Sequence, residues 1–302
     1  MKIFKKNTIP LYPPLTRGKL GPIKIIERKD FPEQLRKIKN CPEKLYCRGD
    51  WDNQIFTKSL AMVGSRRMSQ YGLSAIKKLV PDLVANGFTI ISGFMYGVDM
   101  ASHRETLECG GKTVAVLGGG LDIISPPENI SVYQQILEKG GLIVSEYEPD
   151  FVPTIWTFPL RDRIVAGLAS LGTLVVEAGL KSGSLITARF TQEQGKKLFA
   201  IPGPINSALS QGIYYLIKEK GAKIVTDSSD ITNQRTRGSQ MTIEYSDPLE
   251  KEIVKFLEIE VLTTDELAKK LNKEISIVSQ KLTLMSMGNK VAENLGKWRL
   301  YK

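Results

Sequence analysis

Histidine occurs once in this chain, as His103, and cysteine three times, as Cys41, Cys47 and Cys109, with no CxxC pair among them. An odd and scattered cysteine count excludes a disulfide framework. So sparse a supply of sulfur and imidazole also excludes a zinc site of Cys and His ligands, and metal chemistry would have to rest on carboxylates alone. No stretch approaches the roughly 18 uninterrupted apolar residues of a membrane span, and the start MetLysIlePheLysLysAsnThr has no apolar signal core. A cytoplasmic protein without a membrane partner is expected. The Walker pattern GxxxxGK[ST] is also missing, so ATP hydrolysis of that kind is unsupported. What remains, 42% hydrophobic and 25% charged residues in a chain of 302, suits a globular protein with one large domain and one or two appendages.

Negative charge is in short supply overall, and the net of +10 invites a polyanionic partner. Its location weakens that inference. Residues 1–50 hold 13 Lys and Arg against 5 Asp and Glu, residues 51–244 hold 19 against 18, and residues 245–302 hold 10 against 9. The excess therefore sits in the N-terminal segment, and any phosphate site in the nearly neutral centre must come from placed residues. Residues 1–50 also carry Pro10, Pro13, Pro14, Pro22 and Pro32, which argues against long regular elements. They read as a basic arm folding over the core, or as an auxiliary phosphate-binding surface. Residues 232–246 open on a polar stretch without apolar period and read as a linker.

Seven short apolar runs lie between, at 60–63, 88–91, 113–117, 142–144, 173–176, 198–201 and 223–225, separated by segments of mostly helical spacing. Nearly all-apolar strands alternating with helices imply a parallel sheet covered on both faces. Residues 51–231 are thus expected to form a Rossmann-like, doubly wound α/β domain. Glycines follow most of these strands: ValGlySerArg the first, SerGlyPheMetTyrGly the second, GlyGlyGly the third and ProGly the sixth, while the fifth leads through GluAlaGly into LysSerGlySer. The carboxyl ends of parallel strands line one edge, where such loops let backbone NH groups approach an anion. Each glycine could instead merely supply a permitted backbone angle, but five such loops on one edge favour phosphate.

Particular side chains could hold it. Arg66, directly after Gly64 and Ser65, offers a guanidinium fork to a phosphate oxygen, whereas Arg67 is read as facing solvent. Phe158, Arg161 and Arg163 stand at a helix start, and arginines beside an aromatic suit a nucleotide, unless they pair with Asp162 or Glu177. Lys181, Ser182, Gly183 and Ser184 open another helix, whose free NH groups could hold a phosphate or whose serines could cap it.

These motifs, in this order and spacing, resemble the DNA-processing protein A (DprA, or Smf) family over about residues 43–228: ValGlySerArg, SerGlyPheMetTyrGlyValAsp with AlaSerHisArg, ThrValAlaValLeuGlyGlyGlyLeuAsp, SerGluTyr, PheProLeuArgAspArgIleValAlaGly, ValValGluAlaGlyLeuLysSerGlySer and IleProGlyProIle. The resemblance implies a homodimer that binds single-stranded DNA, shields it, and helps the RecA recombinase load onto it, as in natural transformation. It implies neither catalysis nor a cofactor. The DNA-contacting crevice would fall on Gly64, Ser65, Arg66, Ser92, Gly93, Phe158, Arg161, Arg163, Lys181, Ser182, Gly183 and Ser184. Family members usually carry Ala-Arg where this chain has Met95 and Tyr96, and Asn where it has Asp162, changes expected to weaken binding. His103 matches the family's AlaHisArg turn and is assigned a structural role.

Residues 247–302 read as three helices and a hairpin, the arrangement of a winged helix, with a capping pattern at ThrThrAspGlu. It is similar to the small C-terminal domain of many family members. Two rival functions use the same crevice. One is a nucleotide phosphoribohydrolase, of which GlyThrLeuValValGlu (172–177) is a loose echo with Glu177 as general base, and the other is a sensor of a small nucleotide.

Overall fold

The structure, a computed structural model, describes residues 20–232, 247–288, 290–294 and 296–300, which fall into two compact units divided after Arg235. Most of the expected linker and residues 1–19 of the basic arm lie outside the described residues.

The first unit runs β1 (Lys24–Glu27), α1 (Glu33–Arg36), β2 (Lys44–Arg48), β3 (Ser59–Val63), α2 (Gln70–Ala85), β4 (Thr89–Ser92), α3 (Val98–Glu108), β5 (Thr113–Leu117), α4 (Ile130–Glu138), β6 (Leu142–Ser145), α5 (Thr157–Leu168), β7 (Gly172–Val175), α6 (Ser184–Glu193), β8 (Lys197–Ala200), α7 (Gln211–Lys220), β9 (Lys223–Ile224) and α8 (Ser229–Thr232). Nine strands form one sheet in the order β1-β2-β6-β5-β4-β3-β7-β8-β9. From β6 to β9 every pairing is parallel. All seven apolar runs are strands of this sheet, which is the Rossmann-like α/β architecture the alternation implies.

Why these runs bury both faces is visible in their registers. Successive residues of a strand point to opposite sides. Ala61 and Val63 join Val116, Val144 and Val175 in the core beneath α5, while Leu60 and Met62 join Leu174 and Phe199 in the core beneath α2. Water reaches neither side, so every residue of β3 and β5 is buried.

The N-terminal residues differ from the expected arm. β1 and β2 extend the sheet, β2 pairing antiparallel with β6 and β1 with β2, so the sheet is mixed at this edge. Arg48 anchors the addition: its guanidinium donates to the carbonyl of Leu121 (2.7 Å), the hydroxyl of Tyr133 (3.0 Å) and the carboxylate of Asp122 (2.6 Å). A buried charge persists only with its donors so occupied.

The topology also fixes where a ligand can sit. From β3 the chain winds outward through β4 and β5 to β6, then crosses back by α5 to place β7 on the other side of β3. The strand order reverses between β3 and β7, and helices on the two sides diverge there, leaving a crevice at the carboxyl edge.

The second unit, described by itself, contains α9 (Pro248–Leu257), α10 (Thr264–Leu271), α11 (Ile275–Met287) and the antiparallel pair β10 (Val291–Asn294) and β11 (Lys297–Leu300). Thr263 and Glu266 form a reciprocal capping box at the start of α10. Leu257, Leu267, Leu282 and Trp298 meet in its small core.

Candidate nucleic-acid interface

At the reversal point the carboxyl edge opens into a cleft of about 600 Å³. Its walls come from the loop after β3 (Gly64, Ser65, Arg66, Arg67), the loop after β4 (Gly93, Met95), the first turns of α5 (Phe158, Arg161, Asp162) and the approach to α6 (Lys181, Ser182, Gly183, Ser184). Ten of the twelve residues expected from the sequence are therefore brought together.

Arg66 is exposed, and its guanidinium lies 5.6 Å from the centroid of the Phe158 ring. Among the described residues no carboxylate forms an ion pair with Arg66, Arg67 or Lys181. Stacking on a ring leaves the edge of a guanidinium, where its donors are, available to an anion. Gly97 makes this loop possible: its φ of 74° is left-handed, and a Cβ there would collide with the carbonyls of Ser65 and Arg66.

Across the cleft, α6 has Gly183 as its N-cap residue and no side-chain cap. The Ser182 and Ser184 hydroxyls bond each other at 2.8 Å, so the serines do not cap the helix in the way sequence alone allows. The helix N-terminus thus carries its partial positive charge toward the cleft beside Lys181.

The floor is charged and buried. Arg161 is 4% exposed, its Nε donating to Asp162 at 3.1 Å and its Nη1 to the carbonyl of Val116. Asp162, the carboxylate expected to weaken binding, is thus held by an arginine rather than facing a ligand alone. Burial raises its pKa against the pull of Arg161. Asp99, which sequence reasoning missed because it looks like any acidic residue of a first helical turn, also lines the cleft. Burial pushes its pKa up to about 6, although Arg161 opposes the shift. Gly93 is the spacer over this pair, since a Cβ would strike both Asp99 and Arg161.

Two expected contacts are corrected. Ser92 is fully buried and donates to the carbonyl of Met62 at 2.6 Å, one layer behind the cleft. Arg163, only two residues from Arg161, projects to the other side of α5 and donates to the carbonyls of Asn40 (2.9 Å) and Leu160 (2.7 Å) and to the Glu146 carboxylate (2.5 Å). An α-helix separates residues i and i+2 by about 200°, so the two arginines cannot serve one site.

Three further features concern the edge. The GlyGlyGly turn after β5 is not part of the cleft wall and is packed against protein: a Cβ on Gly118 would meet the Phe158 ring at 2.8 Å, one on Gly119 the Pro153 ring at 2.8 Å, and one on Gly120 the carbonyls of Glu148 and Pro149. Glycine here admits the segment 148–158 against the sheet. His103 lies inside α3 rather than in a turn, buried between the Thr113 hydroxyl and the Gly93 carbonyl at 2.7 Å each, and burial drops its pKa to about 4. Glu177, the general base of the phosphoribohydrolase reading, accepts from the backbone NH and hydroxyl of Ser69 at the start of α2 and stays outside the cleft. Tyr96, where the family usually has arginine, is exposed and donates to Glu128 at 3.1 Å.

The family model of DNA recombination-mediator protein A matches residues 23–236. Protein Smf of Escherichia coli is 42% identical over 201 residues, 67% of this chain and 53% of that one, so this chain spans about half the length of that relative. DNA processing protein DprA of Streptococcus pneumoniae is 42% identical over 67% of this chain and 70% of its own. Among solved structures, the S. pneumoniae DprA superposes with a TM-score of 0.65 at 37% identity, covering 72% of this chain and 75% of that chain. A DNA processing protein A from Helicobacter pylori, solved for its single-stranded DNA binding mode, gives 0.63 at 32% identity, covering 70% of this chain and 94% of that chain. A cleft built from the ValGlySerArg, PheProLeuArg and LysSerGlySer segments, on this sheet and at this identity, makes the chain a member of the DNA recombination-mediator protein A family.

Proposed function

We propose that the cleft grips the sugar-phosphate chain of single-stranded DNA, and that the protein protects that strand and assists loading of a RecA-type recombinase. The observation that carries the reading is Arg66: an exposed, unpaired guanidinium poised on the face of Phe158 at the mouth of an open cleft. Charge for a phosphate next to a ring for a base is the combination that holds a strand without regard to sequence. The H. pylori relative with a single-stranded DNA binding mode supports the same assignment. The contacting residues in this proposal are Gly64, Ser65, Arg66, Gly93, Phe158, Arg161, Lys181, Ser182, Gly183 and Ser184, with Asp99 and Asp162 as the buried counter-charges.

No chemistry on the strand is proposed. Asp162 is paired with the buried Arg161, whose charge also acts on Asp99, and Glu177 is committed to Ser69. The protein is proposed to act as a homodimer in the cytoplasm, and no described helix is long and apolar enough to cross a membrane. The second unit is proposed to be a winged helix that contacts protein or holds DNA weakly. Its α11, where a groove-reading helix would carry basic residues, instead exposes Ile277, Leu284 and Met287.

The test is competition. Labelled oligothymidine is bound to the full chain and displaced by unlabelled single strand, matching duplex or mononucleotides, with base release from nucleoside monophosphates assayed on the same samples. The single strand should displace best and no base should be released. Better displacement by mononucleotides, or measurable release, would overturn the proposal.

A further inference from the structure

Residues 146–156 carry an apolar surface that the cleft alone does not use. Tyr147 and Phe151 stack at 4.6 Å with 17° between their planes, and Trp156 meets Tyr147 edge to face at 6.4 Å and 76°. Trp156 is 55% exposed, Val152 53% and Ile155 90%.

These side chains are not exposed through looseness. Gly120 NH donates to the Phe151 carbonyl (2.8 Å), Asp122 NH to that of Pro149 (2.7 Å) and Phe151 NH to that of Glu148 (3.0 Å), so the loop is fastened to the turn after β5. Pro153 is buried beneath it. A fastened loop that holds an indole and two branched side chains in water marks a contact surface.

Two observations identify what the surface takes. First, it continues the cleft: Ile155 and Phe158 already form cleft wall, and Trp156 lies between them in sequence and leads to Tyr147 and Phe151. Second, it offers no cation for a phosphate. Of the acids in this loop, Glu146 and Glu148 are engaged by Arg163 and Lys44 while Asp150 is exposed, and the other exposed side chains, those of Val152, Ile155 and Trp156, are hydrocarbon and an indole ring. Neutral, flat π-faces suit such a surface, and phosphates do not.

We infer that the Tyr147–Phe151–Trp156 shelf stacks the bases of single-stranded DNA as the strand leaves the phosphate cleft, extending the binding site beyond it. The inference rests on the cleft reading above and adds the strand's exit path. Stacking of this kind is tolerant of sequence, because every base has a face. It also gives the site a length dependence that the cleft lacks.

The experiment compares an oligothymidine of about four nucleotides, enough for the cleft alone, with one of about 16. Trp156→Ala should bind the longer oligomer about tenfold more weakly than the native chain and the shorter one equally, with Trp156→Phe restoring most of the loss. The longer oligomer should also quench tryptophan emission of the native chain. Trp51 is packed against Phe31 and Phe56 and Trp298 is 8% exposed, so Trp156 is the responsive one. Native affinity for the longer oligomer in Trp156→Ala, or emission unchanged by DNA, would overturn the shelf and leave the cleft reading intact. Loss of self-association in Trp156→Ala, with affinity lowered equally for both lengths, would make the surface an interface between copies and overturn it too. Failure of the native chain to bind either oligomer would bring down the cleft reading itself.

Discussion

The carboxyl edge of the sheet has an open half and a closed half, and both are built from glycine and arginine. Over β3, β4 and β7 the loops line the cleft, and Arg66 stands exposed at its wall. Over β5 and β6 the GlyGlyGly turn is filled by Phe158, Pro153 and the backbone at 148–149, while Arg163 and Arg48 point into the protein. The contrast teaches that a glycine turn licenses close approach and does not choose what approaches. Ligand and protein segment compete for the same seat, and the residues on the facing loop decide between them.

The largest effect should come from the closed half. Arg163→Ala strands the Glu146 carboxylate and two carbonyls and should lower unfolding free energy by about 3 kcal/mol in a urea titration, while the folded variant binds oligothymidine as tightly as the native chain. Gly120→Ala drives a methyl group into the Glu148 and Pro149 carbonyls and should cost about 1–3 kcal/mol in the same assay. In the open half the pattern inverts. Arg66→Ala should leave stability within about 0.5 kcal/mol and weaken oligothymidine binding about tenfold, measured by fluorescence anisotropy.

A smaller effect follows from the floor shared by the two halves. Asp99 has its pKa raised to about 6 by burial, so it loses its negative charge as pH falls through that value. Oligothymidine affinity should rise about twofold between about pH 7.5 and 5.5, and Asp99→Asn should flatten the response. Stability carries two opposing contributions in this range. Asp99 holds a proton that the unfolded chain releases between about pH 4 and 6, so its contribution grows as pH falls through 6. His103, lowered to about 4, does the reverse, and its contribution is lost as pH falls from the ordinary histidine range toward 4. The smallest effect should be that of Gly183→Ala, where no atom lies within 4 Å of the added carbon. Its melting temperature should match the native value, in contrast to Gly120→Ala.

The strands were legible because parallel strands buried on two faces must be apolar throughout, as LeuAlaMetVal and ThrValAlaValLeu are. β2 escaped notice because Lys44 and Arg48 stand at its two ends and leave an apolar run of three residues, and Arg48 is tolerable inside only through Leu121, Tyr133 and Asp122, partners more than 70 residues away. In the cleft, Arg66 and Lys181 were legible because they sit in glycine-containing loops between a strand end and the next helix. Arg163 misled because an Arg-Asp-Arg triplet looks like one charged patch until the helical rotation between alternate residues is applied. Asp99 gave a weak signal, an acid two residues past a glycine at a strand-to-helix turn, which reads equally well as ordinary helix-start chemistry.

The central claim is that exposed cations of the open half neutralise phosphates. It is tested most directly by oligothymidine affinity across a salt series for the native chain, Arg66→Ala and Arg163→Ala. Log affinity should fall linearly with log salt, Arg66→Ala should have a slope shallower by about 0.7, and Arg163→Ala should keep the native slope. Equal slopes for the native chain and Arg66→Ala, or a shallower slope in Arg163→Ala alone, would contradict the account.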